Sequence, residues 1–337
     1  MPDGASLLAV LASACAPDHG TEPALEKVIV GIRPHLSFAE VYVAFEEGFF
    51  AAEGLDVEIT TWVTAATRYS TLTSGQVDVV LSGPFDAGLI NLVQRGARLQ
   101  LVAARHHHVD ADCGYAAFVA RRELIETGRL TADPASLRGL RVVTDRTMGN
   151  YYYWHRLLAA GGLTIDDVEL HDLHSESRPI ALQKGLVDVV SVTEPWVLHA
   201  TNGTGAVVWK KVGEILPERQ NTFLVYGPRL LDSRRDLGER FMRAYLRGVE
   251  RIARDGASRR NVEILSRHLH MPEEQVARLC WPTYVPGGVI DPRGLLEYQE
   301  WALKEGLIDV IVPPSRLIDG HFLGHATLPG HDESTGS

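Results

Sequence analysis

The chain has 337 residues and 45% of them are apolar; 33 Lys and Arg stand against 43 Asp and Glu, so the formal net charge is −10. This composition is that of an ordinary globular protein and excludes disordered, collagen-like and coiled-coil classes. The negative net charge argues against a nucleic-acid partner, because it repels the phosphate backbone. Three cysteines are too few for a disulfide scaffold. The length predicts about two domains.

The N-terminus carries a possible export signal. Residues 6–16 read SLLAVLASACA, a short apolar stretch followed by small residues and Cys15. This pattern resembles the end of a bacterial lipoprotein signal, so Cys15 is a candidate lipid anchor that would tether the chain to a membrane. Residues 1–24 would then be the signal-like segment and its tether. The basic start of a signal peptide is absent, and the alternative is a cytoplasmic tail with an incidental cysteine.

The first hundred residues after this segment alternate between strand-like and helix-like patterns. The predicted strands are Lys27–Ile32, Val57–Trp62, Val77–Leu81 and Leu99–Ala104. The predicted helices are Ala39–Ala52, Thr67–Ser74 and Asp86–Arg95. Strands separated by helices of about ten residues indicate βαβ units and a largely parallel sheet.

An internal repeat divides the chain into two similar halves. The segments AAEGLDVEI and LTSGQVDVVLS of the first half return as AAGGLTIDDVEL and LQKGLVDVVSV, 108 to 111 residues later. Each copy reads helix, glycine, strand, helix, glycine, buried strand, with Gly54 and Gly75 matching Gly162 and Gly185. Glycine commonly ends a helix in this way. The repeat predicts two similar α/β lobes, in which Asp78 and Asp188 have structural roles.

The remaining chain contains further strands and a helical C-terminal part. Tyr115–Val119 and Thr222–Tyr226 are predicted as strands that cross from one lobe to the other, and Leu140–Val143 and Val187–Val192 as strands of the second lobe. The predicted C-terminal helices are Asp236–Asp255, Asn261–Leu269, Pro272–Leu279 and Pro292–Glu305. Residues 331–337 are expected to be disordered.

The order of these motifs resembles a known family. The segment FAEVYVAFEEGFFAAEGLDVEI, the repeat LTSGQVDVVLSG and the later segments GLRVVTDRTMGN, GGLTIDDVELHDL and ALQKGLVDVVSVTEPW are similar to bacterial substrate-binding proteins. Those proteins serve ABC importers of thiamine-precursor pyrimidines, nitrate, taurine and alkanesulfonates. The resemblance covers about residues 27–270.

The resemblance implies both a fold and a role. The fold would be α/β of the type II periplasmic-binding-protein kind, with two lobes joined by a two-strand hinge. Lobe one would hold residues 25–112 and 222–330, with the C-terminal helices packed on it, and lobe two residues 113–221. The protein would be a monomeric, extracytoplasmic solute-binding component without a cofactor. Its partners would be a small-molecule solute and an ABC transporter permease.

The loops beyond the carboxyl ends of the strands, where ligands of open α/β sheets bind, supply the candidate ligand-binding residues. They are Ser37, Phe38, Trp62, Ala65, Ala66, Thr67, Ser82, Gly83, Phe85, Met148, Gly149, Asn150, Tyr151, Glu194 and Trp196. The aromatic rings suit a planar ligand. Glu194-Pro195 resembles an acidic residue followed by Pro in the pyrimidine-binding branch of the family. Alternatively, Trp62 and Trp196 are core residues and Glu194 forms a salt bridge.

Arginines near these loops keep a second ligand class open. Arg33, Arg105, Arg146 and Arg178 would allow a carboxylate or sulfonate, because guanidinium groups pair bidentately with such groups. The aromatic residues favour a planar heterocycle or aromatic compound over nitrate.

A histidine run, His106 to His108, precedes Asp110 and Cys113. Imidazole, carboxylate and thiol groups are zinc and copper ligands. Alternate residues of an extended chain share a face, so at most His106 and His108 converge, with Asp110. We expect no metal site here, and His106 is a further candidate ligand contact.

Common enzyme signatures are missing: the chain has no HExxH, GxSxG, GxxxxGK or GxGxxG motif. We therefore expect a binding protein rather than an enzyme. The alternative is an enzyme on the same scaffold, either similar to pyrimidine-precursor synthases or similar to desulfinases. The first would need a cysteine-rich motif that this chain lacks. The second would need a pocket cysteine, and Cys113 is the candidate near the presumed cleft.

Overall fold

The computed structural model describes residues 24–61, 65–82, 85–109, 113–144 and 149–326. Within these residues ten strands form two five-stranded sheets. The strands are β1 (Glu26–Ile32), β2 (Leu55–Thr61), β3 (Val79–Leu81), β4 (Gln100–Ala104), β5 (Ala116–Arg121), β6 (Arg141–Thr144), β7 (Glu169–Asp172), β8 (Val189–Thr193), β9 (Ala206–Lys211) and β10 (Phe223–Tyr226).

The two sheets have the same topology. Sheet one has the order β2-β1-β3-β10-β4, and sheet two the order β7-β6-β8-β5-β9. In each, the first three strands are parallel and the fourth is antiparallel to both of its neighbours. The antiparallel strand of each sheet comes from the segment that returns from the other lobe. The predicted two-lobe α/β fold is therefore confirmed.

Helices cover the faces of both sheets. They are α1 (Ala39–Glu46), α2 (Phe49–Ala52), α3 (Ala65–Thr73), α4 (Ala87–Gln94), α5 (Arg122–Glu126), α6 (Asn150–Ala160), α7 (Arg178–Gln183), α8 (Trp196–Thr201), α9 (Val212–Ile215), α10 (Arg235–Asp255), α11 (Arg259–Leu269), α12 (Glu273–Arg278), α13 (Pro292–Lys304), α14 (Pro314–Leu317) and α15 (His321–Gly324). Single 3-10 turns span Leu36–Phe38, Pro134–Leu137, Ile165–Asp167, Ser175–Ser177 and Pro286–Gly288, and a π-helical turn spans Arg229–Ser233.

The long C-terminal helix α10 packs on sheet one's helices α1 and α2. Its apolar face carries Phe241, whose ring stacks on Phe50 of α2 at 4.8 Å. Gly248 lies directly against the backbone of Glu40, where a Cβ atom would have no room. Burial of these apolar faces holds the C-terminal helices on lobe one.

Two details differ from the sequence prediction. The expected single helix Ala39–Ala52 is two helices, because Gly48 has a φ of +70° and interrupts the ladder. Strand β9 was not predicted, although it begins with the apolar run AVVW; it is a partly exposed edge strand. The predicted lobe boundaries at residues 112 and 222 stay a prediction, although the strands of each sheet fall within them.

A disulfide joins Cys113, just before β5, to Cys280, just after α12. The Cα atoms are 5.5 Å apart and the two cysteines are separated by 167 residues in sequence. The bond therefore connects the entry to lobe two with the C-terminal part of lobe one. The sequence analysis did not anticipate this pairing.

Among the described residues, none of the helices combines the length and the apolar character that crossing a membrane requires.

Candidate functional site

A cavity of about 110 Å³ lies between the two lobes. The described residues that line it from the lobe-one side are Arg33, His35, Ser37, Phe38, Arg68, Ser82, His108, Asn221 and Thr222. Those from the lobe-two side are Tyr115, Asn150, Ser175, Glu176, Thr193 and Trp196. A cavity of this size has room only for a small solute.

Five of the predicted ligand-binding residues line this cavity. They are Ser37, Phe38, Ser82, Asn150 and Trp196. They come from the ends of different strands or from helix starts, as the rule for open α/β sheets requires. The structure therefore brings the predicted loops of both lobes to one place.

The predicted residues Phe85 and Tyr151 are placed elsewhere, in an aromatic cluster between the lobes. Phe85 stacks on Tyr298 of α13 at 4.9 Å. Tyr151 packs edge-to-face against Trp301 of the same helix at 5.8 Å, and Tyr152 lies 4.9 Å from Trp301. These rings join α6 of lobe two to the C-terminal helix α13 rather than facing the cavity.

Glu194 is 3% exposed and does not line the cavity, although its neighbour Thr193 does. Its carboxylate accepts hydrogen bonds from the backbone N–H groups of Leu198, at 2.9 Å, and Cys280, at 3.2 Å. Burial raises the pKa of Glu194, and the two N–H donors oppose that rise. The side chain is therefore engaged in holding α8 and the disulfide segment.

The histidine run separates into three environments. His106 is buried between the rings of Tyr115 and Tyr284 and is not part of the cavity lining. His107 lies 3.6 Å from Glu218. His108 alone lines the cavity. No metal-ligand cluster includes these histidines within the described parts of the chain.

The other predicted site residues are either outside the cavity lining or outside the described residues. Thr67 borders a separate surface groove beside β2, and Gly149 precedes the first residue of α6. Ala65 and Ala66 begin α3. Cys15, Trp62, Gly83 and Met148 lie outside the described residues, as do Asp110, Arg146 and the tail 331–337.

A fully buried ion pair holds the lobe-one wall in place. Arg105 donates to Glu40 at 2.7 Å, and both side chains are 0% exposed. The same guanidinium donates to the carbonyls of Ser37 and Ser82, two residues that line the cavity. Tyr284 donates to the second oxygen of Glu40 at 3.1 Å. Arg105 is therefore a positioning group for the two serine loops and not a free cation for a solute.

The cations that do line the cavity have carboxylate partners. Arg68 is 1% exposed and pairs with Asp86, the N-cap of α4. Arg33 pairs with Glu176 at 2.6 Å across the cleft, so this ion pair joins lobe one to lobe two. Burial alone would raise the pKa of Glu176, but hydrogen bonds from its own backbone N–H and from Arg33 hold it below its usual range. The charges that line the cavity are thus largely compensated.

His35 supplies an uncharged hydrogen-bonding group. Its Nδ1 accepts from the backbone N–H of Ser37 at 3.1 Å, which leaves the proton of the neutral ring on Nε2. Burial and the charge of Arg33 lower the pKa of His35 to about 4. The ring is therefore neutral at pH 7.

A second neutral group lies deeper. Asn221 Nδ2 is 2.6 Å from His108 Nε2, and the Tyr153 hydroxyl is 2.9 Å from the same nitrogen. Burial and the neighbouring His107 lower the pKa of His108 to about 3. The Oδ1 atom of Asn221 is buried and has no hydrogen-bond partner among the described residues. The amide of Asn221 is therefore held beneath the cavity surface, beside the rings of His108 and Tyr153.

The sequence analysis missed several lining residues, although some could have been found. His35 lies in the loop after β1 that was expected to border the pocket, beside Arg33, which was expected only as a partner for an acidic solute, and Thr193 ends β8. Ser175 and Glu176 form the 3-10 turn before α7. Asn221 gave no local signal, because its place depends on how the returning segment crosses between the lobes.

The expectation that Cys113 could supply a free thiol to the pocket is wrong. Cys113, the residue that a desulfinase-like reaction would need, is bonded to Cys280. It therefore has no free thiol in this state.

The chain belongs to the NMT1/THI5-like family, whose model matches residues 35–256. A comparison with curated protein sequences finds no match.

Solved structures with the same fold are numerous, and all three described below are below 25% identity. The periplasmic nitrate-binding protein NrtA from Synechocystis has a TM-score of 0.74 at 13% identity, over 91% of this chain and 89% of that one. The periplasmic aliphatic sulphonate-binding protein SsuA from Escherichia coli has a TM-score of 0.71 at 15% identity, over 89% of this chain and 99% of that one. The desulfurization enzyme DSZB has a TM-score of 0.61 at 17% identity, over 89% of this chain and 98% of that one. Binding proteins and an enzyme thus share this two-lobe fold.

Proposed function

We propose that this chain is the extracytoplasmic solute-binding component of an ABC importer and that it captures a small solute by closure of its two lobes. The observation that carries the proposal is the cavity between the lobes, which both lobes line with aromatic and hydrogen-bonding side chains. The Arg33–Glu176 ion pair spans the cleft and would form as the lobes close. The binding-protein neighbours support this role over an enzymatic one.

The chemistry of the lining favours an uncharged planar solute. Phe38, Tyr115 and Trp196 offer ring faces or edges for stacking. Arg33 and Arg68 are already paired with carboxylates, so nitrate or a sulfonate would have to compete with Glu176 and Asp86. Asn150, Ser175 and Thr193 bring neutral amide and hydroxyl groups to the lining, and these can donate to or accept from a polar solute. A heteroaromatic ring that carries an amino group meets these requirements.

Binding measurements with a small panel test both the role and the solute class. Calorimetric titration with 4-aminopyrimidine, nitrate and ethanesulfonate is expected to show at least tenfold tighter binding of the heterocycle. Trp196→Ala should weaken that binding at least tenfold, which corresponds to about 1.4 kcal/mol. Trp209→Ala is the matched control, because Trp209 donates to Thr131 O at 2.8 Å and is outside the cavity lining.

The results separate the two parts of the proposal. Tighter binding of ethanesulfonate, still lost in Trp196→Ala, would overturn the solute class and leave the binding role. If a broad solute panel gives no binding and native mass spectrometry finds no co-purified molecule, the binding role itself is wrong.

A location outside the cytoplasm is supported by the Cys113–Cys280 disulfide, since such bonds persist in oxidising compartments. Thiol titration of protein isolated from its native compartment should find these two cysteines unreactive until a reductant is added. The lipid anchor at Cys15 is a separate part of the proposal. Cys15→Ala should release the protein from the membrane fraction, and retention there would contradict the anchor.

A further inference from the structure

A cluster of three potential metal ligands lies on the surface of lobe one, away from the cavity. Glu239 of α10 and the pair His321 and His325 at the ends of α15 each offer one ligand atom, and these atoms all lie within 4.8 Å of one another. His321 Nε2 is 2.9 Å from Glu239 Oε1. The rings of His321 and His325 have centroids 4.3 Å apart. The side chains of Glu239 and His321 are 28% and 37% exposed, so an ion can reach them from solvent.

The fold builds this cluster rather than leaving it to chance surface contact. Residues four apart on a helical turn share one face, which places His321 and His325 together. Between them, Phe322 is fully buried and packs 4.9 Å from Tyr226. Gly238 permits this approach, since a Cβ atom there would lie 2.7 Å from the Phe322 ring. The contact that anchors α15 therefore also brings Glu239 beside the two imidazoles.

A second set of contacts fixes the start of α15. Asp319 accepts from the backbone N–H of His321 at 3.0 Å and pairs with Arg235 at 3.2 Å. Arg235, which also lies over the Phe322 ring at 4.8 Å, thus has its charge compensated by Asp319. Arg235 and Arg243, one helical turn to either side of Glu239, are both paired with other carboxylates, and the carboxylate of Glu239 remains to attract a cation.

Two imidazoles and one carboxylate are a donor set that Zn²⁺ binds well, with bonds of about 2.0–2.2 Å and an open position for water. Tetrahedral bonds of that length place neighbouring ligand atoms roughly 3.3–3.5 Å apart. The present spacing of 2.9 to 4.8 Å reaches that geometry by small side-chain rotations. We propose that Glu239, His321 and His325 form a zinc site that fastens the α15 turn to α10.

Calorimetric titration of ZnCl₂ into tag-free, chelator-treated full-length protein tests the site. The expected result is one site per chain with a micromolar dissociation constant. His325→Ala removes one imidazole and leaves the His321–Glu239 contact, and it should weaken zinc binding at least tenfold. The matched control is His171→Ala, because His171 lies 3.0 Å from Glu169 and, among the described residues, this similar pair belongs to no three-ligand cluster. That control should bind zinc like the wild type.

Thermal unfolding supplies a second measurement that separates lost ligation from lost folding. Without metal, His325→Ala should unfold near the wild-type temperature, whereas the increase that zinc produces in the wild type should disappear in the variant. The proposal is overturned if the wild type binds no zinc at 100 μM added metal, or if His325→Ala and His321→Ala both bind zinc as the wild type does.

Discussion

The two lobes use one matched residue in the same way. In lobe one, Asp78 accepts from the backbone N–H of Ile29 at 2.9 Å and pairs with Arg229 at 2.8 Å. In lobe two, Asp188 accepts from the backbone N–H of Arg141 at 2.9 Å and pairs with that residue's guanidinium at 2.7 Å. Each aspartate directly precedes the third strand of its sheet, β3 or β8, and fastens it to the neighbouring strand, β1 or β6. The repeated sequence therefore preserves the frame of the sheet.

Unlike the matched aspartates, the cavity walls of the two lobes differ from each other. Lobe one supports its wall with the buried pair Arg105 and Glu40, neither of which belongs to the repeated segments. Lobe two presents Trp196 and the turn that carries Glu176. The matched residues therefore hold the sheets, whereas the residues that would meet a solute diverged between the copies.

Removal of Arg105 should have the largest effect on stability. Arg105→Met leaves the Glu40 carboxylate buried without its cation, and we expect a loss of about 3–5 kcal/mol in the free energy of unfolding. Denaturant unfolding measures it. The double variant Glu40→Leu with Arg105→Met should recover part of the loss, since no buried charge remains. A single variant as stable as the wild type would contradict the supporting role of this pair.

The matched aspartates should give equal, intermediate losses. Asp78→Ala and Asp188→Ala each leave a backbone N–H without its acceptor, which costs about 1–3 kcal/mol, and remove an ion pair with a partly exposed arginine, worth up to about 1 kcal/mol. Urea unfolding of the two variants side by side should agree within about 1 kcal/mol. A large loss in one lobe and none in the other would break the equivalence.

The smallest predicted effect is a change in pH dependence. The fold lowers the pKa of His108 to about 3, whereas its pKa in the unfolded chain is about 6.5. The contribution of this histidine to the free energy of unfolding is therefore fully present above the unfolded pKa. It is lost as the pH falls below that value, because the unfolded state binds the proton first. Between pH 6 and pH 5 this histidine makes the unfolding free energy fall by at most about 1.4 kcal/mol per pH unit.

His108→Gln should reduce that slope, and urea unfolding at several pH values measures it. His171→Ala is the comparison variant, because His171 is partly exposed. An unchanged slope in His108→Gln would show that this ring is not held neutral by the fold.

The sequence predicted the frame of the molecule better than its cavity. The spacing of apolar residues, the positions of the glycines and the internal repeat together located β1 and β8 to within two residues of their observed ends. Gly75 and Gly185 have φ angles of +73° and +67°, as the predicted left-handed helix ends require. These features are local, so the chain near them is sufficient to define them.

Which residues line the cavity depends on contacts between segments that are distant in sequence. Tyr151 and Phe85 were expected near a solute, but they pack on α13, and no local pattern reveals where that helix docks. Glu194 was expected to meet a solute and instead accepts from the Cys280 backbone, 86 residues further along the chain. His108, rather than His106, lines the cavity, because the returning segment places Asn221 beside it.

The most direct test of the account is whether solute binding closes the cleft. Small-angle X-ray scattering of the solute-free protein, with and without saturating 4-aminopyrimidine, measures the radius of gyration. We expect a smaller radius with the heterocycle and no change for Trp196→Ala at the same concentration. If the heterocycle binds and leaves the radius unchanged, or if it binds Trp196→Ala as tightly as the wild type, capture between the two lobes is contradicted.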